Sequence, residues 1–326
     1  CPENKKPDRL VHLNHWRQYP VMSQTRIPAA FIRGGTSKGV FFNEHDLPKD
    51  RNAWDAVFLE VIGAPDPSRR QLNGMGGGIS SLNKVMIVRP SARDDADVDY
   101  TFAQIAADQP IVDYSANCGN LSSAVGPFAI DEGLIDVDDG EQLVRLFNTN
   151  TSKIIHARVP VANGQTVVAG GFELQGVAGT GAKLKLDYLD PGGAGTGKLL
   201  PTGRVAETLD VQGLGEVPVS LVDAATPMVF VATDNLGMTA TESPVELDAD
   251  QDAKARLERI RCAGAVRMGM VNKTEDTGLA SPRIAICAAP RPFTSLSGET
   301  VTASAQDITV RVISSGDTHR ASPLTS

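Results

Sequence analysis

The chain has 326 residues, 41% of them hydrophobic, which suits two domains of about 100–200 residues, each with a real core. A formal net charge of −8 argues against nucleic acid and anionic membrane as main partners, and no apolar run approaches the roughly 20 residues of a membrane span. The cysteines (Cys1, Cys118, Cys262 and Cys287) are too sparse for a disulfide framework and fit no zinc or redox pair, so free thiols in a reducing compartment, the cytoplasm, are expected.

Residues 1–21 have neither the apolar core nor the cleavage site of a signal peptide. They read as an N-terminal extension or appended sequence, with Met22 as a natural start. Strands are expected at Ile27–Ile32, Val85–Val88, Val98–Ile105, Pro110–Tyr114, Leu143–Phe147, Lys153–Val161 and Ala182–Leu189, and then at Val217–Asp223, Met228–Thr233, Arg283–Ala288 and Ile308–Ile313. Helical spacing appears in three places. Trp54, Val57, Phe58 and Val61 form one stripe, stopped by Gly63, and Leu121, Val125, Phe128 and Ala129 form another, ended by Gly133. Asp248–Gly264 opens acidic and closes basic, as the helix dipole prefers. Many closely spaced strands and few helices favour an α+β fold with antiparallel or mixed sheets over a doubly wound one. The composition breaks at Asp190–Gly203, which divides the chain into residues 22–194 and 195–326.

Three glycine-rich stretches carry candidate chemistry. In "SANCGN", Asn117 is expected to cap a helix and put Cys118 and Gly119 in its first turn. Unpaired N–H groups and the positive dipole end there lower a thiol's pKa and attract carboxylates. The plain alternative is a small buried residue at a helix start. "RGGTSKGVFF" (Arg33–Phe42) can present backbone N–H groups to a carboxylate but lacks the phosphate-loop spacing; otherwise it is a tight hairpin with a solvated lysine. "NGMGGGISSLNK" places Lys84 at the mouth of an apolar strand, where desolvation would make it usable as a base. Arg267, in "AVRMGM", has the fork that binds carboxylates. No His/Asp/Glu spacing suggests a metal, and there is no dinucleotide fingerprint.

These stretches closely resemble the PrpF family, from about Ile27 to the C-terminus. The resemblance rests on "RGGTSKG", "GAPDP", "NGMGGGISSLNK", "DVDYTFAQ", "NCGN", "VGPFAI", "LPTG" and "RMGM", in that order. It implies two similar diaminopimelate-epimerase-like domains, each a curved, mostly antiparallel sheet around a central helix, with the active site in the cleft between them. It implies isomerisation of small unsaturated di- and tricarboxylates without cofactor or metal, as 2-methylaconitate cis–trans isomerase, 3-methylitaconate Δ-isomerase, 4-oxalomesaconate tautomerase or aconitate isomerase. Lys84 and Cys118 match the family's proton-moving lysine and active-site cysteine. Thr36, Ser37 and Lys38 fall near substrate carboxylates, with Asn117, Gly119 and Asn120 at the helix start, and Arg267, Ser314 and Ser315 on the second-domain side. A homodimer stays open as an assembly state.

The chain departs from the family at Asn73, where Asp is usual, at Leu82-Asn83, where Thr-Ser is usual, and near His319, where "KLHH" is the commoner form. Relatives also continue past "HRASPLTS" with several more strands, so either the sequence is truncated there or the second domain lacks the closing part of the fold. Two rival readings are a non-catalytic tricarboxylate-binding accessory protein of an aconitase-like enzyme, and a racemase with two facing cysteines.

Overall fold

The computed structural model describes residues 24–323 and Thr325; the readings of residues 1–21 and of Met22 lie outside the described residues. In the first half, β1 (Ala30–Gly34) and β2 (Ser37–Asn43) form a hairpin, and α1 (Trp54–Ile62) crosses over to β3 (Lys84–Pro90), parallel to β2. Antiparallel β4 (Val98–Ile105) and the short β5 (Val112–Asp113) lead into α2 (Gly119–Asp131). A long hairpin of β6 (Gly140–Asn148) and β7 (Lys153–Ala162) follows. After β8 (Gln165–Thr166), β9 (Phe172–Glu173) and β10 (Thr180–Gly181), β11 (Lys185–Tyr188) returns to β7. The main sheet runs β1-β2-β3-β4-β6-β7-β11.

The β2–β4 part of this sheet is buried on both faces, because alternation along β3 gives each face its own apolar set. Met86 and Val88 pack with Leu121, Val125 and Phe128 of α2, while Val85 and Ile87 pack with Trp54, Phe58 and Ile62 of α1. The sheet curls around α2, which touches β1, β2, β3, β6, β7 and β8. Helix α1 stops at Gly63 (φ 76°), a left-handed cap that suits glycine.

In the second half, β12 (Glu207–Val211), β13 (Gly215–Asp223) and β14 (Pro227–Ala232) form an antiparallel meander. Helices α3 (Pro244–Ala249) and α4 (Gln251–Arg267) cross over to β15 (Arg283–Ala288), parallel to β14. The ribbon β16 (Phe293–Thr294) and β17 (Thr300–Val301) precedes β18 (Thr309–Ser314) and β19 (Asp317–Thr318). The six-stranded sheet runs β12-β13-β14-β15-β18-β19. Both halves repeat one path: an antiparallel pair, a helical crossover to a parallel strand, then an antiparallel strand. Helix α4 therefore holds the position of α1, packing Leu257 and Ile260 on Leu221, Val229 and Ile284.

The single helix expected from Asp248 is two helices. Ser243 and Glu246 form a capping box at the start of α3, with Pro244 at the first helical position. Asp250 leaves the helical conformation and caps α4 by accepting from Ala253 N at 2.9 Å. No helix among the described residues is long and apolar enough to cross a membrane.

Candidate active site

Helix α2 begins one residue later than the sequence suggests. Its cap is Cys118 itself (φ −107°, ψ 96°), whose thiol takes none of the first-turn N–H groups. The Asn117 side chain is drawn under the helix into a buried polar network. There its Oδ1 accepts from the Tyr100 hydroxyl (3.3 Å) and Asn148 Nδ2 (3.4 Å), so it neither caps the helix nor faces a ligand.

The β1–β2 hairpin is pressed against this helix start. A Cβ at Gly34 would lie 2.7 Å from Asn120 O, and one at Gly39 would lie 2.7 Å from Lys84 O, so both glycines mark backbone contacts. Asn120 Nδ2 donates to Thr36 Oγ1 (2.9 Å) and Ser37 Oγ (3.3 Å), and the Cys118 thiol lies 4.0 Å from Ser37 Oγ. Gly119 gives its carbonyl to the Tyr188 hydroxyl at 3.2 Å. Lys38 does not join this group. Side chains alternate along β2, and Lys38 lies on the face opposite Ser37, its Nζ 5.0 Å over the Phe31 ring.

Lys84 opens β3 at 3% exposure. Its Nζ donates to Gln104 Oε1 at 2.5 Å and stands 5.0 Å over the Phe102 ring. Burial drives its pKa from the ordinary 10.5 down to about 8; nearby Cys118 opposes the drop and nearby Arg283 adds to it. Among the described residues, no carboxylate lies within ion-pair distance of Lys84.

Arg283, the first residue of β15, reaches across from the second sheet. It is 5% exposed, and its Nη2 donates to the Asn117 carbonyl at 3.4 Å. Burial lowers its pKa, while proximity to Cys118 and Tyr188 opposes this. His319 completes the group. Burial, then Arg283 and Lys84, push its pKa down to about 3, so its imidazole is neutral at physiological pH. Sequence reasoning read Arg283 only as the start of a strand and His319 only as a departure from the family.

The arginine assigned to the second-domain side is elsewhere. Arg267 ends α4 with its side chain 46% exposed, and its Nε donates to Glu207 of β12, which also accepts from Thr202. A helix-end arginine beside a buried carboxylate on the neighbouring strand takes that partner. Ser314 is buried in β18. Ser315 (φ 52°) turns the β18–β19 hairpin and lines a separate cavity of about 370 Å³ between the two halves, which Lys84 and Cys118 do not line.

The halves are tied beside this cavity. Asp317, in the hairpin, accepts from Arg69 Nη2 (2.8 and 2.9 Å) and from Ser80 N (2.8 Å). Burial is the largest influence on its carboxyl and raises its pKa. The resulting centre places a buried lysine, a thiol at a helix N-terminus and a buried arginine around one point, an arrangement suited to moving a proton on a polycarboxylate.

Residues 24–326 match the family model described as PrpF protein. The chain is 41% identical to the 2-methyl-aconitate isomerase of Cupriavidus necator, over 91% of this chain and 78% of that one. It is 43% identical to the 4-oxalomesaconate tautomerase of Pseudomonas putida, over 83% and 72%. The crystal structure of a methylitaconate-delta-isomerase superposes with a TM-score of 0.70 at 39% identity, covering 93% of this chain and 78% of that one.

Proposed function

The chain belongs to the PrpF family, and from that premise we infer that it is an isomerase of small unsaturated tricarboxylates, acting by 1,3-proton transfer. The reaction is cis–trans isomerisation of 2-methylaconitate or aconitate; shift of the double bond, as in 3-methylitaconate isomerase, and tautomerisation, as in 4-oxalomesaconate tautomerase, use the same proton movement. The observation that carries the reading is Lys84: a lysine held at 3% exposure, its pKa brought to about 8, beside Cys118 and Arg283. With that value roughly a tenth of the amine is unprotonated at pH 7, against well under a thousandth for an ordinary lysine.

In this reading neutral Lys84 takes a proton from the carbon next to a C=C conjugated with a carboxylate. The negative charge spreads into that carboxylate, where the first-turn N–H groups of α2 and the Arg283 guanidinium stabilise it. Lys84 or Cys118 returns a proton at the far carbon, which shifts the double bond, or at the same carbon after rotation, which exchanges cis and trans. Thr36, Ser37 and Asn120 rim the helix start and hydrogen-bond a second carboxylate. Arg283, in place of Arg267, is the carboxylate-binding arginine of the second half. No metal or cofactor is assigned, and the partner is the small anionic substrate.

The test is incubation of the full chain with a panel of unsaturated tricarboxylates in deuterated water, read by proton NMR. Deuterium entry at an allylic carbon with double-bond migration or cis–trans exchange is expected for at least one. Loss of the activity in Lys84→Ala ties it to this centre; full activity in that variant rejects the assignment.

A further inference from the structure

Gln104 lies directly across the β3–β4 ladder from Lys84 and is 2% exposed. The orientation of its amide is fixed by its surroundings. Nε2 donates to the carbonyls of Asn83 (2.9 Å) and Ser80 (3.0 Å), so turning the amide over would set oxygen against two carbonyl oxygens. The amide oxygen is thereby forced toward Lys84, whose Nζ it receives at 2.5 Å. The same two carbonyls would repel a carboxylate, so the backbone of the Gly77–Lys84 loop selects a neutral acceptor at this position. Phe102 closes a second side of the ammonium group at 5.0 Å.

We propose that Gln104 is a positioning residue for the proton transfer: it anchors one N–H of Lys84 and thereby aims the amine lone pair at the substrate carbon. The inference rests on the reading of Lys84 as the base. A long side chain with four rotatable bonds gains orientation only if its end is held, and misaligned proton transfer is slow even with the base intact. A neutral anchor supplies the hold without fixing the proton on the nitrogen, as a carboxylate would.

Two Gln104 variants and a titration of the Gln104 amide, with Lys84→Met as its control, test this. Gln104→Met removes the anchor at similar volume. Its kcat is expected to fall 10- to 100-fold at every pH, with KM within about threefold. Gln104→Glu restores an acceptor but adds charge, and the acid limb of its kcat profile is expected to move up by one pH unit or more, with activity recovering toward alkaline pH. If Gln104→Met keeps kcat within twofold, or the Gln104→Glu profile overlays that of the parent, the proposal falls. Side-chain amide NMR of glutamine-labelled enzyme decides the anchor even where a variant fails to fold or no substrate is turned over. The Gln104 amide signal should titrate with Lys84, and this should vanish in Lys84→Met; a signal that does not respond to pH overturns the anchor, whereas absent turnover with a titrating amide faults only the reading of the function.

Discussion

Lys84 costs the fold something when it carries its charge, and the sign of that cost is testable. A drop from 10.5 to about 8, at about 1.4 kcal/mol for each factor of ten, is on the order of 3 kcal/mol. Because the folded state holds this proton less tightly than the unfolded chain, the penalty is fully present below about pH 8. It is relieved as pH rises from about 8 to 10.5, where the unfolded lysine also loses its proton. Lys84→Met should therefore leave the melting temperature at pH 7 unchanged or raise it, while lowering kcat by about 10²–10⁴. Its stability advantage should shrink when melts are repeated at pH 9 and 10. A variant that melts well below the parent at pH 7 would mean that Lys84 is held for structure rather than kept for chemistry.

The two arginines illustrate what elements make of a side chain. Arg267 sits in the last turn of α4, beside Glu207 of β12, while Arg283 starts β15 and reaches the Asn117 carbonyl of the other half. Arg267→Ala should leave KM unchanged and cost about 1–3 kcal/mol, because the Glu207 carboxylate loses the guanidinium and keeps the Thr202 hydroxyl. Arg283→Lys should leave the melting temperature within a few degrees but raise KM tenfold or more, since the fork is lost. Equal effects of the two changes on KM would refute the reassignment. Much of this centre was legible in the letters. Lys84, Cys118, Ser37 and the glycine-rich turns stand in local patterns whose chemistry follows from a strand mouth and a helix start. The strands Val98–Ile105 and Arg283–Ala288 were legible to the residue, because alternation and flanking breakers bound them. Arg283, His319 and Tyr188 were not, because each enters the site only through contacts between distant segments, and no local spacing encodes these. The shift of the helix cap from Asn117 to Cys118 has the same origin: Tyr100 and Asn148 compete for the asparagine side chain. The Ser243–Glu246 capping box, by contrast, was a local signal that could have placed α3.

At the scale of the molecule, the candidate site is complete only when the halves are in register, since Lys84 and Cys118 come from the first half and Arg283 and His319 from the second. Asp317 bears on that register. Its carboxylate receives Arg69 and the Ser80 amide, and the Ser80 carbonyl in turn receives Gln104, which holds Lys84. A hairpin of the second half is thus linked to the base of the first through the backbone of Ser80 and the side-chain amide of Gln104. The tie is poorly suited to a purely stabilising role, because burial disfavours the Asp317 charge enough to raise its pKa despite Arg69. Asp317→Ala leaves Arg69 and the buried Ser80 N–H without their acceptor, so it should cost about 1–3 kcal/mol without unfolding the protein, and lower kcat by an order of magnitude through a loosened Gly77–Lys84 loop. Hydrogen exchange should quicken at Ser80 and its neighbours while exchange in β6 and β7 stays as in the parent. Arg69→Met, which removes the other partner but leaves the Ser80 contact, should have the smaller effect on kcat. If Asp317→Ala unfolds the protein cooperatively at much lower temperature, or leaves both kcat and Ser80 exchange unchanged, the link between interdomain register and the base does not exist.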